Sequence, residues 1–430
     1  MAPTLLSLPP ELLLVIFEAI HDWHRPSVRH LVHTCRLARL LAEPILYRVL
    51  LVTTGSQAVS LAAALKSHQR SNVVATLGVF LDSQENVEAL TPVIGTMTHL
   101  RSLSLEGPFV NRWEDERWKA FMQGYRLLFY QAARGVGLQN LESLTIHWAG
   151  KEGGCWRVSK ISGIFKLPAL QRLTLSRAAL LDDLAEKLAD IPTGATALVH
   201  LELIQCHVSP RAISAVLALP RTLGSCHLGN HETFYDEKGP PLVGYLQALH
   251  PQRRCLEELV WTDDDDNTDL RRAHPPGMSE FNHLRTLTVN TLGTASLALL
   301  LSKHTAPRNL ERLCLFSHRF EPDSEQALIP GIPPASDLCP NLPALRYLDV
   351  VIERFDDARY QMIAWRVDHW RQIVRRLGAE FRVHRVEVAV FTLDFSYWTG
   401  SPPYTHGKDV PQEKIIYRCS VEKGDLYFVE

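Results

Sequence analysis

The sequence predicts an α/β chain in three parts: a helical module over residues 1–50, a strand-and-helix array over 51–380, and a β-rich cap over 381–430. Three observations carry this. The first fifty residues hold a helix that is apolar on nearly every side. A Leu-x-x-Leu-x-Leu unit then returns about every 31 residues between Leu46 and Val383. Past residue 381, strand-like runs at Val383–Phe395, Ile415–Cys419 and Leu426–Val429 surround a Gly/Pro-rich loop.

The N-terminal helix has clear start signals. Ser7 suits an N-cap, Pro9 and Pro10 fit a first turn, and Glu11 complements the dipole. Leu8, Leu12, Ile16 and Ile20 then fall at i, i+4, i+8 and i+12, while Leu13, Phe17 and Ile20 make a second stripe. A helix this apolar must be covered on more than one side, and a fifty-residue segment buries too little surface to do it alone.

A polar link, His21–Pro26, leads from this helix to a short helical stretch, Ser27 to His33. Thr34-Cys35-Arg36 then opens a second apolar run through Leu37-Ala38-Arg39-Leu40 to Leu46-Tyr47-Arg48. The Leu-Pro-x-Glu-Leu-Leu opening, the Ile16-Phe17 pair, the Cys-Arg step and the Leu-Tyr-Arg close resemble an F-box over residues 6–50. The family's usual aromatic after Cys-Arg is replaced here by Leu37 and Ala38. The resemblance implies a three-helix module that docks on a Skp-family adaptor and, through it, on a cullin–RING ubiquitin ligase. By the same resemblance Leu8, Pro9, Leu12, Ile16, Phe17, Ile20, Cys35 and Leu40 are the adaptor-binding residues.

The repeat is cleanest at Leu100/Leu103/Leu105, Leu141/Leu144/Ile146, Leu170/Leu173/Leu175 and Leu198/Leu201/Leu203, and continues to Leu345/Leu348/Val350. Weaker copies stand at Leu46/Val49/Leu51, Val74/Leu77/Val79 and Val383/Val386/Val388. One copy, Leu198 to Cys206, has the full Leu-x-x-Leu-x-Leu-x-x-Cys form. This is similar to a leucine-rich repeat with insertions, and implies an irregular solenoid in which each unit buries its apolar face against its neighbours. Helical stretches are expected at Gln57–His68, Gln84–Met97, Pro210–Leu219, Leu242–His250 and Thr294–His304. Long inserts interrupt the period at 107–137, rich in aromatics, at 262–280, with Asp263–Asp266, and at 317–341, rich in proline. A last long helix is expected over Asp356–Leu377.

Composition limits the function classes. A formal net charge of −2 gives no reason to expect nucleic acid or an acidic membrane as partner. No stretch reaches the 18 or so apolar residues of a membrane span. The eight cysteines are scattered without a Cys-x-x-Cys pair, which suits cytoplasm or nucleus. His21, His24, His30 and His33 lack acidic or thiol co-ligands at metal spacing, so a surface role is expected. The four-aspartate run lacks the alternation of a calcium loop. Cys226 is expected inside as a small hydrophobe. With no nucleophile elbow, zinc motif or phosphate loop, no catalytic residue, metal or cofactor is expected, and an enzyme hidden in the array is the remote alternative.

The expected function is a non-catalytic adaptor linking a target protein to the ligase. A Skp-bound complex that acts without ubiquitination is the nearer alternative. In each repeat the third, fifth and seventh positions should face the concave side of the solenoid, the C-terminal half of which should hold the target. They are small early on, as at Ser102, Thr145 and Thr174, and larger later, at Arg312, Phe316, Tyr347, Asp349 and Arg385. These five are the expected target-binding residues, since Arg and Tyr dominate binding hot spots.

Overall fold

The computed structural model describes residues 8–81, 83–86, 88–107, 114–148, 154–229, 242–262, 277–290, 301–317, 332, 334–354, 364–394 and 413–427. The Asp263–Asp266 run and most of the proline-rich 317–341 insert lie outside these residues, as do Ser7 and the beginnings of the helices expected at 294 and 356. Contacts divide the chain into two units, Met1–Leu173 and Thr174–Glu430.

The first unit opens with α1 (Pro10–Leu31) and α2 (Arg36–Arg48). Pro10 and Glu11 start α1 as their chemistry dictates. The helix then runs on through the stretch expected to be a link. It kinks at His24 (φ −152°, ψ 82°), and Pro26 falls in the first turn of the continuation, where a missing N–H and a bulky ring are tolerated. Cys35 caps α2, its Sγ accepting the Ala38 N–H at 3.4 Å. Leu13, Phe17, Val28, Ala38, Ala42 and Ile45 are buried along these two helices.

From α2 the chain passes straight into β1 (Val49–Val52), then α3 (Gly55–Ala64), the single turn α4 (His68–Ser71), β2 (Thr76–Phe80), the single turn α5 (Thr91–Ile94) and β3 (Ser102–Glu106). An inserted helix, α6 (Asp115–Ala132), precedes β4 (Ser143–His147) and the short β5 (Trp156–Arg157). The strands β1 to β4 lie in chain order and pair parallel. Leu77, Leu103 and Leu144 form one buried row and Val52, Val79, Leu105 and Ile146 the next. The first repeat is therefore displaced by one residue from the expected Val49/Leu51: Leu50 and Val52 face the core, and Val49 and Leu51 face out. A one-residue slip exchanges the faces of a strand.

α6 is anchored by its aromatics. Phe121 and Tyr125 each lie 4.9 Å, ring centre to ring centre, from Trp148, which lies 4.9 Å from Trp156. All four rings are buried, and burial pushes the Tyr125 hydroxyl well above its ordinary pKa. The aromatics noted in the 107–137 insert thus pack from a helix.

The division between the units falls within β6 (Arg172–Ser176). The second unit continues with β7 (Ala178–Leu180), α7 (Asp182–Leu188), β8 (His200–Ile204), β9 (His207–Val208), α8 (Pro210–Ala218), β10 (Ser225–Gly229) and α9 (Leu242–Leu249). Then come β11 (Glu258–Thr262), β12 (Thr286–Asn290), β13 (Arg312–Ser317), the turn α10 (Ala335–Leu338), β14 (Tyr347–Arg354), α11 (Ala364–Val383) and β15 (Glu387–Asp394). The chain closes on β16 (Glu413–Ser420) and β17 (Gly424–Tyr427). In the sheet of this unit β8, β10, β11, β12, β13, β14 and β15 are parallel neighbours, and β16 and β17 add on antiparallel.

One backbone device recurs at the strand entrances. The carbonyl of Val199 accepts the N–H groups of both Gly224 and Ser225, and Gly224, Glu257, Arg285 and Glu311 accept the corresponding pairs from the next strand. These shared acceptors lock the register, so Leu201, Cys226, Leu259, Leu287, Leu313, Leu348 and Val388 form one row. Cys226 is fully buried, and burial pushes its thiol up to about 12.

These findings correct the expected architecture. In place of a three-helix F-box, an irregular leucine-rich-repeat solenoid and a β-rich cap stands an α/β fold built on extensive, mostly parallel sheet. Residues 10–48 carry two helices, one of them kinked, and the second leads without a linker into the first strand. Of the C-terminal strands, β16 pairs on β15, which itself pairs parallel with β14, and β17 pairs on β16, so the strands expected as a cap continue the ladder of the rest. From β2 to β14 leucine spacing specified where strands lie and which face is buried; it did not specify the two end strands or the assembly. One expected helix, Gln84–Met97, is reduced among its described residues to the single turn α5.

The last repeat is also shifted. Val388 pairs with Leu348 and Val390 with Val350, so the unit is Arg385/Val388/Val390 and not Val383/Val386/Val388. α11 runs to Val383, and Arg385 takes a left-handed conformation (φ 62°) in the turn between helix and strand.

Candidate functional site

The expected adaptor-binding residues divide sharply by exposure. Leu12 is 51% exposed and Leu40 is 62% exposed, and Pro9 is open. Val15, 62% exposed, adds to this surface, as do Leu14 and Leu37. Ile16, Ile20 and Cys35 are half-buried and pack against the core of Phe17, Val28, Ala38, Ala42 and Ile45. Leu8 is half-buried. Phe17 has no exposed surface, so it holds α1 on α2 and is not available to a partner. Periodicity suggested the outward roles of Leu14, Val15 and Leu37 only weakly, because α1 is apolar on nearly every side.

Polar contacts fix this helix pair in place. Arg48 Nη1 donates to Glu18 Oε1 at 3.0 Å, tying the end of α2 to the middle of α1. Arg70 donates to Glu43 at 2.8 Å and lies over the Tyr47 ring, tying α2 to α4. An Arg25 amine donates to the Val49 carbonyl, and burial followed by the nearby Arg29 lowers the pKa of Arg25. Of the histidines, His24 Nδ1 lies 2.8 Å from Ser27 Oγ and His21 lies beside Asp22. Among the described residues no three His, Cys, Asp or Glu side chains are grouped to hold a metal ion.

In the second unit three of the expected target-binding residues, Arg312, Tyr347 and Asp349, alternate with the buried leucines of their strands and are joined to one another. Arg312 Nη1 donates to Asp349 Oδ2 at 2.6 Å, and the guanidinium lies over the Tyr347 ring, 4.7 Å from its centre. The diagonal places a fifth-position acid beside a third-position arginine on neighbouring strands, within reach across a pleated sheet. Burial raises the Asp349 pKa, and Arg312 and Arg418 act against it. Asp349 is thus a buried anchor for the arginine, not a surface contact. Phe316 has its backbone in β13 opposite Val351. Arg385 sits in the turn before β15, outside the row, and Glu387 takes the place opposite Tyr347.

A second constellation, built from the same alternate strand positions, escaped the sequence reading. His227 on β10 stands between Glu202 on β8 and Glu258 on β11, with Nδ1 3.7 Å from one carboxylate and Nε2 3.5 Å from the other. Thr174 donates to Glu202 at 2.9 Å and Ser225 to Glu258 at 2.8 Å. Burial acts to lower the His227 pKa, but the two carboxylates outweigh it and raise it to about 9. The same contact holds Glu258 down at about 2 and lowers Glu202. Rows of third and fifth positions contained all of these residues; their alternation of charge across three strands was the available signal.

Among the described residues no helix is long and apolar enough to cross a membrane. No protein-family model matches the chain, and no curated protein matches it.

Proposed function

We propose that this chain is a non-catalytic adaptor. Its N-terminal helix pair docks on a Skp-family adaptor of a cullin–RING ubiquitin ligase, and the outer sheet face of the second unit holds a protein target. The observation that carries the reading is the split within α1 and α2. Leu13 and Phe17 close an internal core while Leu12, Val15 and Leu40 stand exposed beside it. Together with the Leu-Pro-x-Glu-Leu-Leu and Cys-Arg motifs, this is the chemistry of a helix pair awaiting an apolar partner. The target side rests on the preorganised Arg312–Tyr347 pair, residue types that favour binding hot spots.

The test is co-purification. The full chain, co-expressed with a Skp-family adaptor and a cullin, should elute with both as one stoichiometric complex. A complex with the adaptor that excludes the cullin would support action without ubiquitination. Elution free of the adaptor would refute the reading.

A further inference from the structure

We propose that the outer face of α6 is a third protein-docking surface, one that takes an acidic segment bearing large apolar side chains. α6 is the insert between β3 and β4, and its inner side is fully committed. Phe121, Tyr125, Leu128 and Phe129 are buried, and the segment 158–166 closes on the helix so tightly that a Cβ on Gly163 would collide with the Phe129 carbonyl. The helix is therefore rigid, and binding to its other side orders little that is not already ordered.

On that other side two large apolar side chains, Leu127 and Tyr130, interrupt the polar stripe of an ordinary surface helix. Ala120, Gln123, Leu127 and Tyr130 follow at i, i+3, i+7 and i+10, all exposed, and Arg134 continues the stripe just past the helix end. Leu127 is 54% exposed, Tyr130 57%, and Val136 in the following turn 60%. Arg134 donates to the Tyr130 hydroxyl at 3.0 Å and lies over its ring, so an Arg–Tyr pair is already set in one geometry. Tyr and Arg are the residue types that anchor interfaces, and Leu127 supplies apolar area beside them.

Charge selects the occupant. From Arg117 to Leu141 the sequence has no Asp or Glu but four basic residues, Arg117, Lys119, Arg126 and Arg134. Arg117 and Lys119 pair with Glu114 and Glu116 at the start of α6. Arg126 and Arg134 are left without a carboxylate partner among the described residues, on the same half of the helix as Leu127 and Tyr130. A partner segment that alternates acidic and large apolar side chains satisfies both features; a basic one is repelled. A second copy of this chain would bring the same two arginines face to face.

Fluorescence anisotropy on the full chain tests this. The probe is a fluorescein-labelled synthetic peptide in which Asp and Glu alternate with Leu and Phe; its counterpart carries Lys at every acidic position. The acidic peptide should bind saturably and more weakly as salt rises, and the Lys peptide should not bind. Leu127→Asp with Tyr130→Ala should weaken binding about tenfold or more, and the single Arg126→Gln, at an exposed position, severalfold. No saturable binding, equal binding of the two peptides, or unchanged affinity in Arg126→Gln would overturn the proposal. So would concentration-dependent dimerisation in sedimentation velocity that Leu127→Asp abolishes, since the face would then belong to a second copy.

Discussion

Arg312 lies across the ring of Tyr347 with its guanidinium 4.7 Å from the ring centre, and it is held there by the buried Asp349. The pair is therefore set in one geometry within the chain itself. Two roles must be separated. Arg312→Ala strands a buried carboxylate and should lower stability by about 1–2 kcal/mol, the lower part of the usual range because the arginine itself is partly solvent-screened. Arg312→Ala with Asp349→Ala should cost less than the two single changes added, measurable by urea denaturation.

Tyr347→Ala leaves the ion pair intact and removes the aromatic platform. Target capture by crosslinking should fall, with adaptor binding and unfolding midpoint nearly unchanged. Normal capture by this variant would move the target surface elsewhere.

The Glu202–His227–Glu258 row makes a prediction about pH. His227 has its pKa raised from about 6.5 unfolded to about 9 folded, so its contribution is complete below pH 6.5 and fades as pH rises through 9. Glu258, lowered from 4.5 to about 2, contributes fully above pH 4.5 and fades as pH falls through 2. Stability from this row is thus greatest between about pH 4.5 and 6.5. His227→Gln should flatten the decline in thermal midpoint between pH 6.5 and 9. An unchanged slope would mean that the imidazole carries no charge linkage.

Gly378 on α11 faces Tyr417 and Cys419 on β16, and a Cβ there would overlap both side chains. Tyr417 is buried, so it has little room to move. Gly378→Ala should cost about 1–3 kcal/mol through overpacking, in spite of alanine's better helix propensity. A stabilised variant in a thermal melt would show that α11 and β16 are less closely packed than this.

Strand positions were legible because buried leucines recur at fixed spacing and alternate with polar residues. Legibility failed where that alternation fails. Val49-Leu50-Leu51-Val52 is apolar throughout, so nothing in the sequence chose between its two faces, and the ladder to β2 decided it. At the other end Val383/Val386/Val388 fits the pattern better, because the observed register puts Arg385 in the first leucine's place, where it forms the left-handed turn before β15. The kinked continuation of α1 was hidden by Pro26, which reads as a stop but falls where a proline is tolerated. For the site, the outward face was readable from strand alternation. Its pairings were not, because they join residues 25 to 37 positions apart, as in His227 with Glu202 and Arg312 with Asp349.

Binding of a Skp-family adaptor to the exposed side of α1 and α2 is tested most directly by the adaptor affinity of a Leu12→Asp, Leu40→Asp chain. Both side chains are more than half exposed, so the core of Phe17, Ala42 and Ile45 is untouched and the fold should survive. Titration calorimetry against the purified adaptor should show binding by the unaltered chain. The variant, with the same thermal midpoint, should lose it by a factor of a hundred or so, about 3 kcal/mol. Equal affinity in the two chains would contradict the account.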